Sequence, residues 1–199
     1  DRVIVTTMRG SLIDAIPMTD AQFGLLTSVF LWVYGLLSPF AGFLADRFSR
    51  ARVIVISLFA WSLLTWLTAH ATTFQQLLWT RALMGVSEAC YIPAALALIA
   101  DYHRGSTRSL ATGVHMSGIM VGSGLGGLGG WIAEHYGWTH AFSIFGLVGI
   151  LYTIVVMLFL RDRPADPGVA GQPAPVKPNV NLFEALRSLF TQRGFTFAL

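Results

Sequence analysis

Charged residues are scarce in this sequence: Asp, Glu, Lys and Arg make up 12% of the 199 residues, whereas hydrophobic residues make up 54%. About a quarter of the residues of a typical soluble domain are charged, so this scarcity indicates a chain that lies largely in lipid. A formal net charge of +3 would fit nucleic-acid binding, but the basic residues lie in short loops beside apolar runs, as membrane topology signals do. The composition therefore predicts a membrane protein without a nucleic-acid partner.

Cysteine is almost absent as well, and the start of the sequence has no signal-peptide pattern and no initiator Met. The single cysteine, Cys90, lies in an apolar run and excludes an intrachain disulfide framework. The sequence contains no cleavable signal-peptide pattern. It has no initiator Met and opens with Asp1 and Arg2 followed by Val-Ile-Val. We interpret this opening as the middle of a membrane helix, and therefore the chain as a fragment.

Long apolar runs predict an all-α membrane protein. A helix needs about 20 apolar residues to cross the hydrocarbon core, and only helices or closed barrels satisfy their backbone there. A partial first helix is expected over about 1–8, a polar connection over 9–20 and a kink at Pro39. The five further helices are predicted over 21–45, 53–69, 74–100, 110–133 and 141–160.

The composition changes after the sixth predicted helix, which ends the amino-terminal bundle over 1–161. Residues 162–178 contain five prolines and two glycines, which is typical of a linker. We expect a central loop over 162–194 with an amphipathic helix over 182–191, capped by Asn181, on the membrane surface. Residues 195–199 are predicted to begin a seventh membrane helix.

The basic residues predict the orientation in the membrane. They cluster in the 2–3 loop, in the 4–5 loop and after helix six, which all lie on one side, and the positive-inside rule makes that side cytoplasmic. The opposite loops hold only Arg9. The sequence therefore predicts a multi-pass protein of the cell (inner) membrane. The cytoplasmic bases are Arg47, Arg50, Arg52, Arg104, Arg108, Arg161, Arg163, Lys177, Arg187 and Arg193.

Five ionisable residues fall inside predicted membrane helices, where such groups usually face a bundle interior or a water-filled cavity. Arg81 and Glu88 are seven residues apart and share one helix face, separated by about 10 Å along the axis. A carboxylate between an opposite charge and low-dielectric surroundings can take or release a proton as its pairing changes. We assign proton coupling to Glu88 and Asp1, and charge pairing or substrate binding to Arg2, Arg81 and His115. The alternative is that these groups only clamp helices together.

The fifth predicted helix is rich in glycine. Eight glycines between residues 113 and 130 indicate close packing against neighbouring helices. A phosphate-binding loop is excluded because no Lys-Ser/Thr follows and no strand precedes the glycines. Ser123 and His115 could suggest an intramembrane hydrolase, but no Gly-x-Ser-Gly nucleophile motif accompanies them. We expect no enzymatic activity, no cofactor and no metal.

The turn between the second and third helices carries a specific motif. It reads Gly42-Phe-Leu-Ala-Asp46-Arg47-Phe-Ser-Arg50-Ala-Arg52. This resembles the major facilitator superfamily signature Gly-x-Leu-Ala-Asp-Arg-x-Gly-Arg-Arg/Lys-Arg/Lys, with departures at Ser49 and Ala51. The resemblance makes Gly42, Asp46, Arg47 and Arg50 a cytoplasmic gate.

Other segments extend this resemblance along the chain. Arg81-Ala-Leu-Met-Gly85-Val-Ser-Glu88-Ala89 is similar to the superfamily's fourth-helix pattern, and Asp101 with Arg108 resembles the element after it. Gly129-Gly-Trp-Ile-Ala-Glu134 followed by Gly137-Trp138 is similar to its fifth-to-sixth connection. The resemblance implies an amino-terminal six-helix bundle of two inverted three-helix repeats, with a truncated first helix. Its partner would be the carboxy-terminal half of the same transporter.

Within the superfamily, three segments resemble the Spinster group of lipid transporters: Asp1-Arg2, Thr80 to Tyr91, and Gly122-Ser-Gly-Leu-Gly126. That resemblance implies a proton-linked or facilitative carrier of lysolipids or sphingoid-type amphiphiles. It also places Asp1, Arg2, Arg81 and Glu88 in the central cavity. The alternative is a proton-coupled symporter of small organic anions or sugar acids, in which Arg81 binds a carboxylate. A lipid carrier should instead have an apolar cavity that opens towards the bilayer.

Overall fold

The computed structural model describes residues 2–163, with side chains from residue 4 onwards. The predicted amphipathic helix over 182–191, most of the predicted central loop and the predicted seventh helix lie outside these residues. All regular secondary structure in the described residues is α-helical. Its helices are α1 (Arg2–Thr7), α2 (Arg9–Ala15), α3 (Asp20–Arg47), α4 (Arg50–Thr68), α5 (Phe74–Ala89), α6 (Tyr91–Tyr102), α7 (Ser106–Leu125), α8 (Gly127–Tyr136) and α9 (Trp138–Phe159).

Four of these units are long and apolar enough to cross a membrane: α3, α4, the consecutive pair α5 and α6 (Phe74–Tyr102), and α9. Large apolar side chains on them are exposed, among them Trp32, Leu36, Trp79 and Phe159. Exposed apolar surface of this extent is typical of a protein that faces lipid. The predicted fifth membrane helix is divided at Gly126 into α7 and α8 and is not one of the four.

Side-chain caps set where the membrane helices begin. Thr19 and Gln22 form a reciprocal capping box at the start of α3, and Thr73 accepts a hydrogen bond from the Gln76 N–H at the start of α5. The Ser49 hydroxyl accepts one from the Arg52 N–H at the start of α4, over 3.3 Å. Each cap satisfies backbone N–H groups that lack a partner within the first helical turn.

The predicted polar connection over 9–20 is wrong in its first half. Residues Arg9–Ala15 form α2, because Met8, Leu12 and Ile16 recur four residues apart and bury their side chains on one face. These three side chains belong to a hydrophobic cluster that includes Phe142 of α9. Burial of this apolar face stabilises the short helix, although charged residues surround it in the sequence.

Two prolines lie inside the membrane helices, with different effects on the helix assignment. Helix α3 continues through Pro39, whereas the fourth membrane helix is interrupted at Cys90, three residues before Pro93. Proline has no N–H, and its ring crowds the carbonyl group four residues earlier, which is that of Ala89. The interruption therefore falls directly after Glu88 and Ala89.

Glycines allow the helices to approach closely at two contacts. A Cβ atom at Gly85 of α5 would lie 2.8 Å from the Phe30 carbonyl oxygen of α3, and one at Gly146 of α9 would lie 2.5 Å from the Trp66 nitrogen of α4. The pairs α3–α5 and α4–α9 make the most extensive helix contacts in the described chain. The first of these contacts positions the interior residues described next.

Candidate functional site

A buried arginine lies at the contact between α3 and α5. Arg81 is 2% exposed, and its guanidinium carbon lies 5.6 Å from the centre of the Phe30 ring. Arg81 Nη1 lies 3.3 Å from Met84 Sδ, which accepts its hydrogen bond. An electrostatic attraction connects Arg81 with Glu88, two turns further along α5. The structure therefore holds a cation inside the apolar bundle, with a carboxylate on the same helix.

Glu88 lines a cavity of about 810 Å³. Helices α3 to α7 and α9 all contribute side chains to this cavity. Glu88 lies in the last turn of α5, directly before the interruption at Cys90. Arg81 is not among the lining residues. Within the described residues, the Glu88 carboxylate is therefore the acidic group that a molecule in this cavity would meet. The apolar lining comes mainly from Trp61, Ile92, Val114, Met116, Ile119 and Met120.

His115 reaches the same cavity from α7. Its Nε2 atom is buried and has no hydrogen-bond partner in the described part of the chain. Its ring centre lies 5.8 Å from that of Tyr91, and Tyr91 meets Trp61 edge to face at 5.0 Å. Ser123 also lines the cavity from α7.

The structure brings two predicted interior residues, Glu88 and His115, to one cavity, whereas Arg81 is not among the residues that line it. Asp1 and the side chain of Arg2 lie outside the described residues. Sequence reasoning does not single out Trp61, because an aromatic residue in an apolar run reads as core. Tyr91, three residues after Glu88, could have been found because that spacing places both on one face.

A second cluster of charged side chains lies at the end of the bundle that carries the basic loops. We call this cluster the basic end and define it by Arg50, Arg52, Asp101 and Asp162. Arg50 Nη1 donates hydrogen bonds to the Asp101 carboxylate and, over 3.1 Å, to the Ala97 carbonyl oxygen. Arg50 Nη2 lies 3.7 Å from the Asp46 carboxylate, which is largely exposed. Two of the four predicted gate residues, Asp46 and Arg50, thus meet here.

The other two predicted gate residues, Gly42 and Arg47, are not among the residues that make these ion pairs and hydrogen bonds. Arg47 is exposed. A Cβ atom at Gly42 would have no neighbour within 4 Å, so no close approach in the structure requires glycine there.

Asp162 joins the basic end from beyond α9, which sequence reasoning missed. Its carboxylate accepts hydrogen bonds from the Ser49 hydroxyl and, over 2.8 Å, from the Ala51 N–H. Burial raises the pKa of the Asp162 carboxyl, but these hydrogen bonds and the charges of Arg50 and Arg52 outweigh burial, so the pKa is lowered overall. The signal available was Ser49, which departs from the motif and supplies the hydroxyl.

Metal binding was not expected from the sequence. Within the described residues, no three His, Cys, Asp or Glu side chains lie close enough together to hold a metal ion. Neither the interior cavity nor the basic end therefore contains such a group among the described residues.

Comparisons with known proteins connect the chain to a family. The family model of the Major Facilitator Superfamily matches residues 3–199. The sphingosine-1-phosphate transporter SPNS2 of Danio rerio is 28% identical, over 96% of this chain and 39% of its own length. The probable galactarate/D-glucarate transporter GarP of Escherichia coli K12 is 25% identical, over 86% of this chain and 40% of its own length.

A solved structure agrees with the fold. The crystal structure of a bacterial homolog to the human lysosomal transporter Spinster, in an inward-facing and unoccupied conformation, matches with a TM-score of 0.74. It is 27% identical, and the match covers 95% of this chain and 45% of that chain. The chain thus spans about two fifths of the length of these relatives. These matches confirm its predicted resemblance to the superfamily and to the Spinster group. Because the family model matches nearly every residue, this chain belongs to the Major Facilitator Superfamily, a family of multi-pass membrane transporters and not of enzymes.

Proposed function

We propose that the full-length protein is a secondary active transporter that works by alternating access. In this proposal the chain is its amino-terminal six-helix half, built from two inverted three-helix repeats. It would rock against a carboxy-terminal half around a central cavity. The 2–3 loop, the 4–5 loop and the segment after α9 would face the cytoplasm, with the protein in the cell (inner) membrane.

The observation that carries the proposal is the charge arrangement around α5. Arg81 is buried among apolar groups, while Glu88 faces a cavity and is attracted to Arg81. Ionisable groups inside a membrane are costly, and they usually serve transport or proton movement. A buried cation favours the ionised form of a nearby carboxylate, whereas low-dielectric surroundings favour its neutral form.

We assign proton coupling to Glu88, because a change in the charges that pair with it would change which form of the carboxylate is favoured. Asp1 is proposed as a second proton-coupling group. Arg2 and Arg81 would pair with these carboxylates. His115 would contribute a hydrogen-bonding nitrogen to the cavity, since its Nε2 atom has no partner within the described residues.

The proposed substrates are lysolipids or sphingoid-like amphiphiles. The cavity lining supports this class, because Ile92, Val114 and Met120 present apolar surface beside the Glu88 carboxylate. An amphiphile could place its chain on the apolar part and its head group near the charge. The relative SPNS2 is named as a transporter of sphingosine-1-phosphate, which is a molecule of this class.

A second candidate is a proton-coupled symporter of small organic anions or sugar acids. It is favoured by the 25% identity with GarP, whose name describes transport of galactarate and D-glucarate. In that case Arg81 would bind the substrate carboxylate. The cavity lining favours the amphiphile instead, because Arg81 is not part of it and an anion would meet Glu88, whereas an amphiphile could also use the apolar residues.

The experiment is proton flux into liposomes that contain the full-length protein and a pH-sensitive dye. Lysophosphatidylcholine, sphingosine and glucarate are added in turn. We expect flux with an amphiphile and its loss in Glu88→Gln, which keeps the shape of the side chain but cannot ionise. Glu134→Gln, the same change at an exposed residue of α8, is the matched control and should keep the flux.

The outcomes separate the parts of the proposal. Flux with glucarate alone would replace the amphiphile with an organic anion. Undiminished flux in Glu88→Gln would remove proton coupling from Glu88. Uptake of radiolabelled substrate without proton flux would leave a facilitative carrier.

A further inference from the structure

Three consecutive residues after α9 are bound to the basic end of the bundle. The Arg161 carbonyl oxygen accepts a hydrogen bond from the Tyr102 hydroxyl over 3.0 Å. The Asp162 carboxylate accepts two, from the Ser49 hydroxyl and the Ala51 N–H. Arg163 Nη1 donates one to the Asp101 carbonyl oxygen. Residues 161–163, which we call the strap, therefore cross both the start of α4 and the end of α6.

Helix α4 begins with an unfavourable charge pattern. Its first turn contains Arg50 and Arg52 and no acidic residue, whereas the positive end of a helix dipole favours negative charge. Asp162 places a carboxylate at this end from a distant part of the sequence. It accepts the Ala51 N–H, which is one of the backbone donors that a helix start leaves without an intrahelical partner.

Arg50, the central residue of the basic end, belongs to that same turn. Its contact with Asp101 involves side chains that are 25% and 38% exposed. A partly exposed ion pair contributes little when both side chains move freely. The pair therefore depends on how firmly the first turn of α4 is held.

We propose that Asp162 is a positioning residue, which holds the first turn of α4 so that Arg50 pairs with Asp101. Ser49 supports this turn together with Asp162 through two hydrogen bonds. Its hydroxyl oxygen accepts one from the Arg52 N–H, and its hydroxyl group donates the other to the Asp162 carboxylate. The strap thereby ties the chain that leaves α9 to the motif between α3 and α4. The inference goes beyond the proposed transport function and does not depend on it.

Limited trypsin digestion of the full-length protein in detergent tests this role, because Arg50 and Arg52 are themselves cleavage sites. A protease cleaves a helical turn only when that turn opens, so the rate reports the open population. We expect Asp162→Ala to increase cleavage after Arg50 and Arg52 about tenfold, the usual effect of losing a hydrogen bond to a charged group. Cleavage after Arg104, which lies in the exposed loop before α7, should stay the same.

Arg161→Gln is the matched control, because it removes a neighbouring charge while the Arg161 backbone contact with Tyr102 remains. It should leave cleavage after Arg50 and Arg52 unchanged. Equal increases after Arg52 and Arg104 in Asp162→Ala would indicate general loosening and would overturn the inference. An unchanged rate after Arg52 would overturn it too.

A double variant separates positioning from a merely structural contact. Asp101→Asn removes the partner of Arg50 but leaves the Asp162 contacts. If Asp162 acts through the Arg50–Asp101 pair, Asp162→Ala and the double variant should be cleaved after Arg52 at the same rate. Independent contributions would multiply instead, and that result would contradict the proposed role.

Discussion

The contact at Gly85 gives the sharpest quantitative test of how the interior site is built. A Cβ atom at this position would lie 2.8 Å from the Phe30 carbonyl oxygen and 3.2 Å from Val33 Cβ. Attractive contacts between heavy atoms lie at about 3.5–4.0 Å. Gly85→Ala would therefore force α3 and α5 apart by about half an ångström or more.

The displaced part of α3 carries residues of the candidate site. Phe30 lies under the Arg81 guanidinium, and Tyr34 lines the cavity with Glu88. Overpacking of this kind costs about 1–3 kcal/mol. At about 2–4 °C per kcal/mol for a unit of this size, the midpoint of thermal unfolding should fall by about 2–12 °C.

The assay is thermal unfolding of the full-length protein in detergent, followed by intrinsic fluorescence. Gly35→Ala on α3 is the matched control, because a Cβ atom there meets nothing within 4 Å. Since alanine favours a helix more than glycine does, this control should melt at the same temperature or higher. Equal midpoints for Gly85→Ala and Gly35→Ala would refute the close-contact argument.

Two further predictions concern helix starts. Thr19→Ala removes one half of the capping box with Gln22 and should cost about 1 kcal/mol, seen as a lower unfolding midpoint than that of Thr27→Ala, whose hydroxyl bonds within α3. The Asp162 carboxyl has a pKa below its ordinary 3.8 in the folded chain, so its stabilisation is complete above that value and is lost as the pH falls through the lowered pKa. The midpoint difference between the unchanged protein and Asp162→Asn should therefore be constant between pH 5 and pH 7 and shrink below pH 3.8; a difference that persists at low pH would contradict the assignment.

The spanning helices could be anticipated because lipid leaves a chain few alternatives. The apolar runs predicted over 21–45 and 53–69 lie within or close to α3 and α4. Helix α2 was not predicted, because the charged residues around Leu12 made the segment read as polar although apolar residues recur four positions apart. The interruption at Cys90 was missed although Pro93 was visible, since the effect of a proline depends on whether neighbouring groups compensate for the lost hydrogen bond.

The site could be predicted for those residues whose ionisable side chains cost free energy inside a membrane. Arg81 and Glu88 stand out in the sequence because a membrane rarely tolerates such groups without a function. Asp162 lies in a stretch that reads as a linker, and its partner Ser49 is 113 residues away. No short-range sequence pattern predicts a contact between two residues that are so far apart in the chain. The strap could be found only once the helices were placed.

The interior cavity and the basic end lie at opposite ends of one short helix. Helix α6 starts beside Glu88 and ends at Tyr102, next to Asp101, so Glu88 and Asp101 are about 20 Å apart along the axis. Ala94, Ala95 and Leu98 of α6 are buried in one cluster with Ala45 at the end of α3 and Ile54 at the start of α4, so α6 packs against both of these helices. Pro93 has no backbone N–H, so the helical hydrogen bond from residue 93 to the Ala89 carbonyl oxygen, which would cross the interruption at Cys90, is missing. A bend there breaks no backbone hydrogen bond made by residue 93, so the interruption is the point between Glu88 and Asp101 at which the helix lacks one of its own backbone hydrogen bonds.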